Sequence, residues 1–420
     1  MVQQRFHSGP PILTRQQRAA VYDNACAKLT KHYFDPAFRG RNWREIVASR
    51  REEVLNASEP EAFESTVHSV ITTVGTSHTG FFHESVRRVP ARLAIGATCV
   101  KAQSDAGERW IIRDVHEGGP GQRAGLLPTD VVVAVNGTPL APPKPAMFPM
   151  GTNAVLSIER DGQRRDLKIE VPAPRSRKQP YSEPKSVIAS HLGSSIGYLK
   201  VVIFPGLIGI DVAAELDAAF RELSDCDRLI LDLRGHLGGG LGVLRLMSHL
   251  TPERVPIGYT VTRKRAEGGY DKERLPKLGK LPQSKAVGIL GFAAKFAWRD
   301  PSVVLVSEGL GKKLCHGRIV ILTNEGTVSA GEMVCAFAHE RKLATLVGTE
   351  TAGRLIPGSG FKVGHGYMVI FPKAAYVTWG GEVFEGRGIQ PDIVARWSES
   401  AFREGRDNQL ERAIEVVNAM

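Results

Sequence analysis

The sequence predicts a multi-domain chain of the α/β (α+β) class: a helical N-terminal region, an inserted β-rich domain and an α/β core. Three changes of pattern carry that expectation. Apolar residues recur at three- and four-residue spacing from Arg15 to about Val74. Short β-rich runs punctuated by Gly and Pro then fill Val89 to Pro172, and strands alternate with helices after Gly193. The corresponding divisions are 1–87 for the helical region, 88–174 for the insert, 175–192 for a linker, 193–400 for the core and 401–420 for a C-terminal helix. A length of 420 residues fits roughly two to four domains.

In the N-terminal region the helical signal runs through Ala19, Val21, Ala25 and Leu29, and resumes through Ile46, Val47, Val54 and Leu55. Ser58 followed by Glu61 predicts a capping box opening the segment Phe63 to Val74, and the signal stops at Gly75. In the insert, Arg109 to Val115 and Asp130 to Val135 read as strands, Asn136-Gly137 as a turn, and Gln122 to Leu126 as a helical turn or two. Pro174 to Lys185 reads as linker. The core opens with strand Ile196 to Val201, helix Ile210 to Leu223 and buried strand Arg228 to Leu233. A Gly-rich turn at Gly238 to Gly240 leads to helix Leu241 to Leu250. Strand Gly317 to Leu322, helix Ser329 to about Glu340 and strand Ala344 to Val347 follow, an order that predicts several parallel strands.

Composition narrows the function classes. Apolar residues make up 42% and charged residues 24%, the usage of a folded chain rather than a mainly disordered one. Gly 44 and Pro 25 without a triplet period exclude collagen-like repeats. No apolar run approaches the ~20 residues of a membrane span; the best stretch, Val287 to Trp298, is interrupted by Lys295. The N-terminus shows no apolar signal segment, so a cytoplasmic location is expected. Five scattered cysteines without a CxxC pair support neither a disulfide framework nor a zinc ribbon, and no metal is expected. The net charge of +11 is densest in Thr262 to Lys285, which lacks interleaved aromatics, so no nucleic-acid partner is expected. That segment reads as a lid, a partner surface or a solvated loop.

Four short segments could carry chemistry. In Thr327 to Glu332 (TVSAGE) a buried strand runs through a tight turn into a helix headed by Ser329. The simplest role for Ser329 and Glu332 is a capping box. The same geometry would also present Ser329 at the sheet edge, beside helix amides and a dipole that favour an oxyanion. In Asp232 to Gly240 (DLRGHLGGG) a strand ends in glycines that let backbone amides approach a ligand. Its glycines do not make a dinucleotide fingerprint and no phosphate-binding P-loop occurs, so no organic cofactor is expected. Gly75 to Gly80 (GTSHTG) sets His78 between Ser77 and Thr79, and Glu385 to Asp392 (EGRGIQPD) sets an acid before a Gly-rich turn.

In this chain order the pieces resemble the carboxyl-terminal processing (tail-specific) serine peptidases and the tricorn protease core. Asp232-Leu233-Arg234 with Gly238-Gly239 resembles their strand and oxyanion turn, and Ser329 falls on their nucleophile position. Gly348 to Gly353 (GTETAG) and Glu385 to Asp392 are similar to their following loop and closing signature. Gly118 to Leu126 and Thr129 to Gly137 resemble two segments of a PDZ domain. The resemblance implies a crotonase/ClpP-like α/β protease core with an inserted PDZ domain. It implies a serine endopeptidase that forms an acyl-enzyme on Ser329, with oxyanion donors among the backbone N–H groups of Gly238, Gly239 and Ala330.

Processing peptidases usually place a Lys base 25 residues after the nucleophile, where this chain has Arg354. A guanidinium stays protonated and cannot act as the base. The tricorn core instead uses a Ser-His pair ahead of its PDZ insert, which Ser77-His78 resembles, with Glu385 matching its acid. His78 is then the expected general base, assisted by Ser77 and Glu385, with the contact order among the three left open. Peptide or protein substrates are expected, with a C-terminal carboxylate captured at the PDZ-like edge near Leu93-Ala94-Ile95-Gly96, where Ile95 and Gly96 are the candidates. The alternative is a catalytically inactive PDZ-bearing peptide-binding scaffold.

Overall fold

The computed structural model describes residues 10–85, 88–104, 107–115, 118–142, 144, 146–173, 185–282, 300–311 and 318–420. The stretch Val287 to Trp298 and the Pro- and Lys-rich segment 174–184 lie outside these residues.

Helices Arg15–His32, Trp43–Ser49, Arg51–Asn56 and Pro60–Thr72 form the N-terminal region. Thr14 and Gln17 close a reciprocal capping box on the first helix. The expected box on Ser58 does not form: the fourth helix starts from Glu59 with Pro60 in its first turn and no side-chain cap. Proline fixes its own φ in the helical range and has no N–H to satisfy, which sets the start one residue later. These helices bury Tyr22, Leu29, Phe63 and Val67 against a three-stranded antiparallel sheet. Strand Gly80–His83 pairs with Tyr367–Pro372, which pairs in turn with Gly358–Gly364. The N-terminal region is thus joined through Phe81, stacked on Tyr367 at 5.1 Å, to a part of the chain beyond Ser329.

The insert is a β-rich unit whose strands Ala97–Ser104, Gly107–Val115, Val131–Val135, Asn153–Arg160 and Gln163–Glu170 follow one another across the sheet. Asn136 (φ 50) and Gly137 (φ 75) both take the left-handed conformation of a two-residue hairpin turn. Its core gathers Ile95, Ile112, Leu126, Val132, Phe148 and Leu156.

The core holds a six-stranded sheet. Its edge strand Val187–Leu192 runs antiparallel to Ile196–Val201, so the expected linker over 175–192 ends early and its last residues belong to the sheet. From Ile196–Val201 onward the order is Arg228–Asp232, Ile319–Thr323, Thr345–Gly348 and Ile393–Val394, all parallel. Buried on both faces, these strands read as continuous apolar runs. Helices Ile210–Glu222, Val243–His249 and Ala330–Glu340 contribute to the core on one face, and Asn408–Asn418 packs on the other. The C-terminal segment is two helices, Glu399–Arg403 and Asn408–Asn418.

A charged cluster ties the second of these helices to the sheet. Arg234, 3% exposed, donates to Asp232 and to Asp407, the residue that caps Asn408–Asn418, and also to Gln409. The described part of the basic stretch is folded: Arg263–Gly268 is helical, and Lys277–Leu278 joins a second sheet with Val304–Val306, Pro256–Thr262 and Ala374–Thr378. Lys272 sits 4.4 Å from the Trp379 ring and donates to the Trp379 carbonyl. Among the described residues no helix is long and apolar enough to cross a membrane.

Candidate active site

Three neighbouring parallel strands, Arg228–Asp232, Ile319–Thr323 and Thr345–Gly348, deliver their carboxyl ends to one edge of the sheet. Open α/β sheets place ligands at this edge. The first strand leads into the Gly-rich turn, the second into Ser329 and the third into the loop 349–354. Side chains cross-link these turns. Asn324 Oδ1 accepts from Gly235 N (2.8 Å) and Gly326 N (3.0 Å), and Thr327 Oγ1 donates to the Leu233 carbonyl.

Ser329 stands at the head of helix Ala330–Glu340 with φ 53 and ψ −116, a conformation a β-carbon disfavours. The surroundings hold it there. Its N–H donates to Arg354 O (3.1 Å) and to Glu332 Oε2 (3.1 Å), and Val328 N donates to His236 O (3.0 Å). Glu332 is fully buried and does more than cap the helix. It also accepts from Thr351 Oγ1 (2.6 Å), Gly353 N (2.7 Å) and Arg354 N (2.8 Å). Burial pushes its pKa up, while these hydrogen bonds oppose that shift.

The Gly-rich turn lies directly against the serine. A β-carbon on Gly238 would fall 2.7 Å from Ser329 Cβ and 3.1 Å from its Oγ, so only glycine lets the turn come this near. The Gly238 N–H is engaged by His236 Nδ1 at 2.9 Å. Of the expected oxyanion donors, Gly238 is therefore already committed. The N–H groups of Gly239 and Ala330 make no hydrogen bond among the described residues. Ala330 is the first residue of its helix, where intrahelical acceptors are lacking.

His78 also has positive φ (53) and reaches the site from the N-terminal region. Its Nδ1 lies 2.9 Å from Ser77 Oγ, and Ser77 Oγ donates to Glu385 Oε2 at 3.1 Å. Glu385 Oε1 accepts from Ser77 N at 2.5 Å, and Oε2 accepts from Leu355 N (3.0 Å) and Ile356 N (3.1 Å). The hydroxyl of Ser77 has one proton and directs it to the carboxylate, so it accepts from His78 Nδ1–H. That assigns the tautomer: Nε2 is left unprotonated. Partial burial pushes the His78 pKa below the ordinary imidazole value; Glu385 opposes this, and the Arg354 guanidinium acts with burial.

Residues 354–356 bring the two halves together. Arg354 O receives the Ser329 N–H, while the next two amides hold Glu385, which holds Ser77 and so His78. No hydrogen bond joins Ser329 to His78 among the described residues; they are linked through this three-residue bridge. A β-carbon on Gly358 would fall 2.9 Å from His78 Cβ, so the strand just past the bridge also touches the histidine. Arg354 itself is exposed. Ile95 and Gly96 are buried at the end of the short helix Ala91–Ile95. The anchoring role of Glu332 and the place of His236 were not foreseen. Their only sequence signal is proximity to Ser329 and to Gly238-Gly239.

The fold is similar to that of a solved C-terminal processing protease. Residues 195–395 match the model of peptidase family S41 and residues 111–145 that of the PDZ domain. It is similar to a putative tricorn protease homolog 2 of Streptomyces coelicolor, 23% identical over 94% of this chain and 32% of the relative. A probable CtpA-like serine protease of Staphylococcus epidermidis is 26% identical over 65% of this chain and 48% of the relative. The chain thus spans half or less of the length of these curated relatives. Among solved structures, a photosystem II D1 C-terminal processing protease shares the fold, with TM-score 0.56 and 17% identity over 90% of this chain and 93% of that one.

Proposed function

We propose that the chain is a serine endopeptidase of the C-terminal processing (tail-specific) type, hydrolysing peptide bonds through an acyl-enzyme on Ser329. The observation that supports this best is the Glu385–Ser77–His78 relay, which leaves Nε2 as the basic nitrogen and is tied to Ser329 through residues 354–356. His78 Nε2 takes the Ser329 hydroxyl proton as Oγ attacks the peptide carbonyl, and returns it to the leaving amine. The hydroxyl of Ser77 and the carboxylate of Glu385 keep the ring in that tautomer and stabilise the imidazolium. The amides of Gly239 and Ala330 receive the oxyanion, and the PDZ domain presents the carboxyl end of a peptide or protein substrate.

The test is a fluorophosphonate probe followed by peptide mapping, with a single adduct expected on Ser329. Peptide binding without any adduct would leave an inactive PDZ scaffold as the better description. The labelling rate should rise with pH as His78 loses its proton, with a midpoint below the ordinary imidazole value of about 6.5. Because the Arg354 cation lowers the His78 pKa, Arg354→Ala should move that midpoint to higher pH without removing the base. A rate profile in wild-type enzyme governed by a strongly basic group would contradict the assignment.

A further inference from the structure

His236 lies between the two halves of the proposed oxyanion site. It is fully buried, beside the Phe204 ring with centroids 4.8 Å apart, and a β-carbon on Gly331 would fall 2.8 Å from its Nδ1. The ring therefore rests on the first turn of helix Ala330–Glu340. Its Nδ1 accepts the Gly238 N–H at 2.9 Å, so a neutral ring carries its proton on Nε2. Burial, with the Arg92 cation acting in the same direction, pushes its pKa down to about 3, which keeps the acceptor nitrogen free of a proton. Its backbone serves the other half: its carbonyl receives the N–H of Val328, the residue before the nucleophile, and its own N–H donates to Leu233 O.

We propose that His236 is the positioning residue of the oxyanion site, its Nδ1 holding the Gly238 amide so that the next amide, that of Gly239, is turned towards the oxyanion formed at Ser329. This rests on the serine-peptidase reading and assigns His236 no proton transfer. Gly238 (φ 82) and Gly239 (φ 130) are both in conformations that glycine tolerates, so nothing in their own side chains fixes the turn. Phe204 steadies the turn from one side, through Phe204 N to Gly238 O (2.9 Å) and Gly240 N to Phe204 O (2.8 Å). The Gly238 N–H has His236 Nδ1 as its acceptor. Without that acceptor a buried amide is left unpaired, and rotation of the Leu237–Gly238 peptide towards another partner becomes favourable. Such a rotation carries the Gly239 amide out of line.

The test compares His236→Asn, whose Oδ1 can take the place of Nδ1, with His236→Leu, which keeps bulk and removes the acceptor. Acylation by an ester substrate should fall about 100-fold in the Leu variant, in kcat rather than KM, the scale of one lost oxyanion donor. Affinity for a peptide aldehyde, whose adduct carries the oxyanion, should fall in parallel, with affinity for a product peptide unchanged. The Asn variant should recover most of both losses. Wild-type acylation in a folded Leu variant, or an Asn variant as impaired as Leu, overturns the proposal. Should the Leu variant not fold, nitrogen-15 histidine spectra of wild-type protein decide it: an unprotonated Nδ1 on His236 is expected, and a protonated Nδ1 overturns it. Failure of the wild-type protein to form an adduct at Ser329 would instead sink the peptidase reading itself.

Discussion

Ser329→Ala is expected to end acyl-enzyme formation and lower peptide hydrolysis roughly 10⁴- to 10⁶-fold, as when a serine nucleophile is removed from an assembled catalytic group. The fold should survive. The Ser329 contacts that hold the turn are those of its backbone N–H, which alanine keeps. His78→Ala should cost a similar factor, and the double variant little more than either single one, because the two groups act as one unit. Mass spectrometry for the adduct and steady-state hydrolysis for the rate check both statements. Comparable turnover in wild type and Ser329→Ala would remove Ser329 from the chemistry, and additive losses in the double variant would separate His78 from it.

Arg234→Ala should be the most destabilising change outside the site, by about 3–5 kcal/mol, because it leaves a carboxylate buried without its partner. Asp232 is 1% exposed and Arg234 3%, and Asp407 at the head of the last helix depends on the same guanidinium. Burial alone would raise the Asp232 pKa; the neighbouring Arg234 cation overrides it and holds the carboxyl well below the usual carboxylate range. A depressed folded-state pKa contributes stability that is complete above the unfolded value of about 3.9 and is lost as pH falls below it. Hydrogen exchange of strands Arg228–Asp232 and Ile319–Thr323 gives a local readout suited to a multi-domain chain. Replacing the charges together, as Asp232→Leu with Arg234→Met, should cost less than Arg234→Ala. An Arg234→Ala protein with unchanged exchange at any pH would show that the cluster contributes nothing.

Much of this molecule could be read from its residues, and what could not has physical causes. Arg228 to Leu233 and Gly317 to Leu322 stand out because strands covered on both faces need unbroken apolar runs. Asn136-Gly137 stands out because a hairpin turn of that kind needs two positive φ angles. Gly80–His83 and Tyr367–Pro372 do not. Gly80–His83 gains its strand identity by pairing with a partner on the far side of the insert and most of the core, which no local pattern encodes. The same holds for the second sheet, assembled from four short, scattered strands.

The site divides similarly. Ser329, His78, Ser77 and Glu385 sit in motifs whose types suggest their roles. The order of contacts depended on which hydroxyl proton goes where, and on Leu355 and Ile356 amides that any residue could supply. Glu332 looked like a cap because the S-x-x-E spacing is also a cap. Only burial and its extra donors from Thr351 and Gly353 distinguish it. His236 was one imidazole among twelve until its Nδ1 met Gly238.

The antiparallel pairing of Gly80–His83 with Tyr367–Pro372 has a bearing on biosynthesis. A nascent polypeptide carries its histidine out of the ribosome well before the strand beside which that histidine is seated and the acid that orients it. Prematurely terminated products lacking Glu385 should consequently be harmless to their neighbours, and two separately expressed pieces divided within the intervening chain should regain hydrolytic competence only on reassociation.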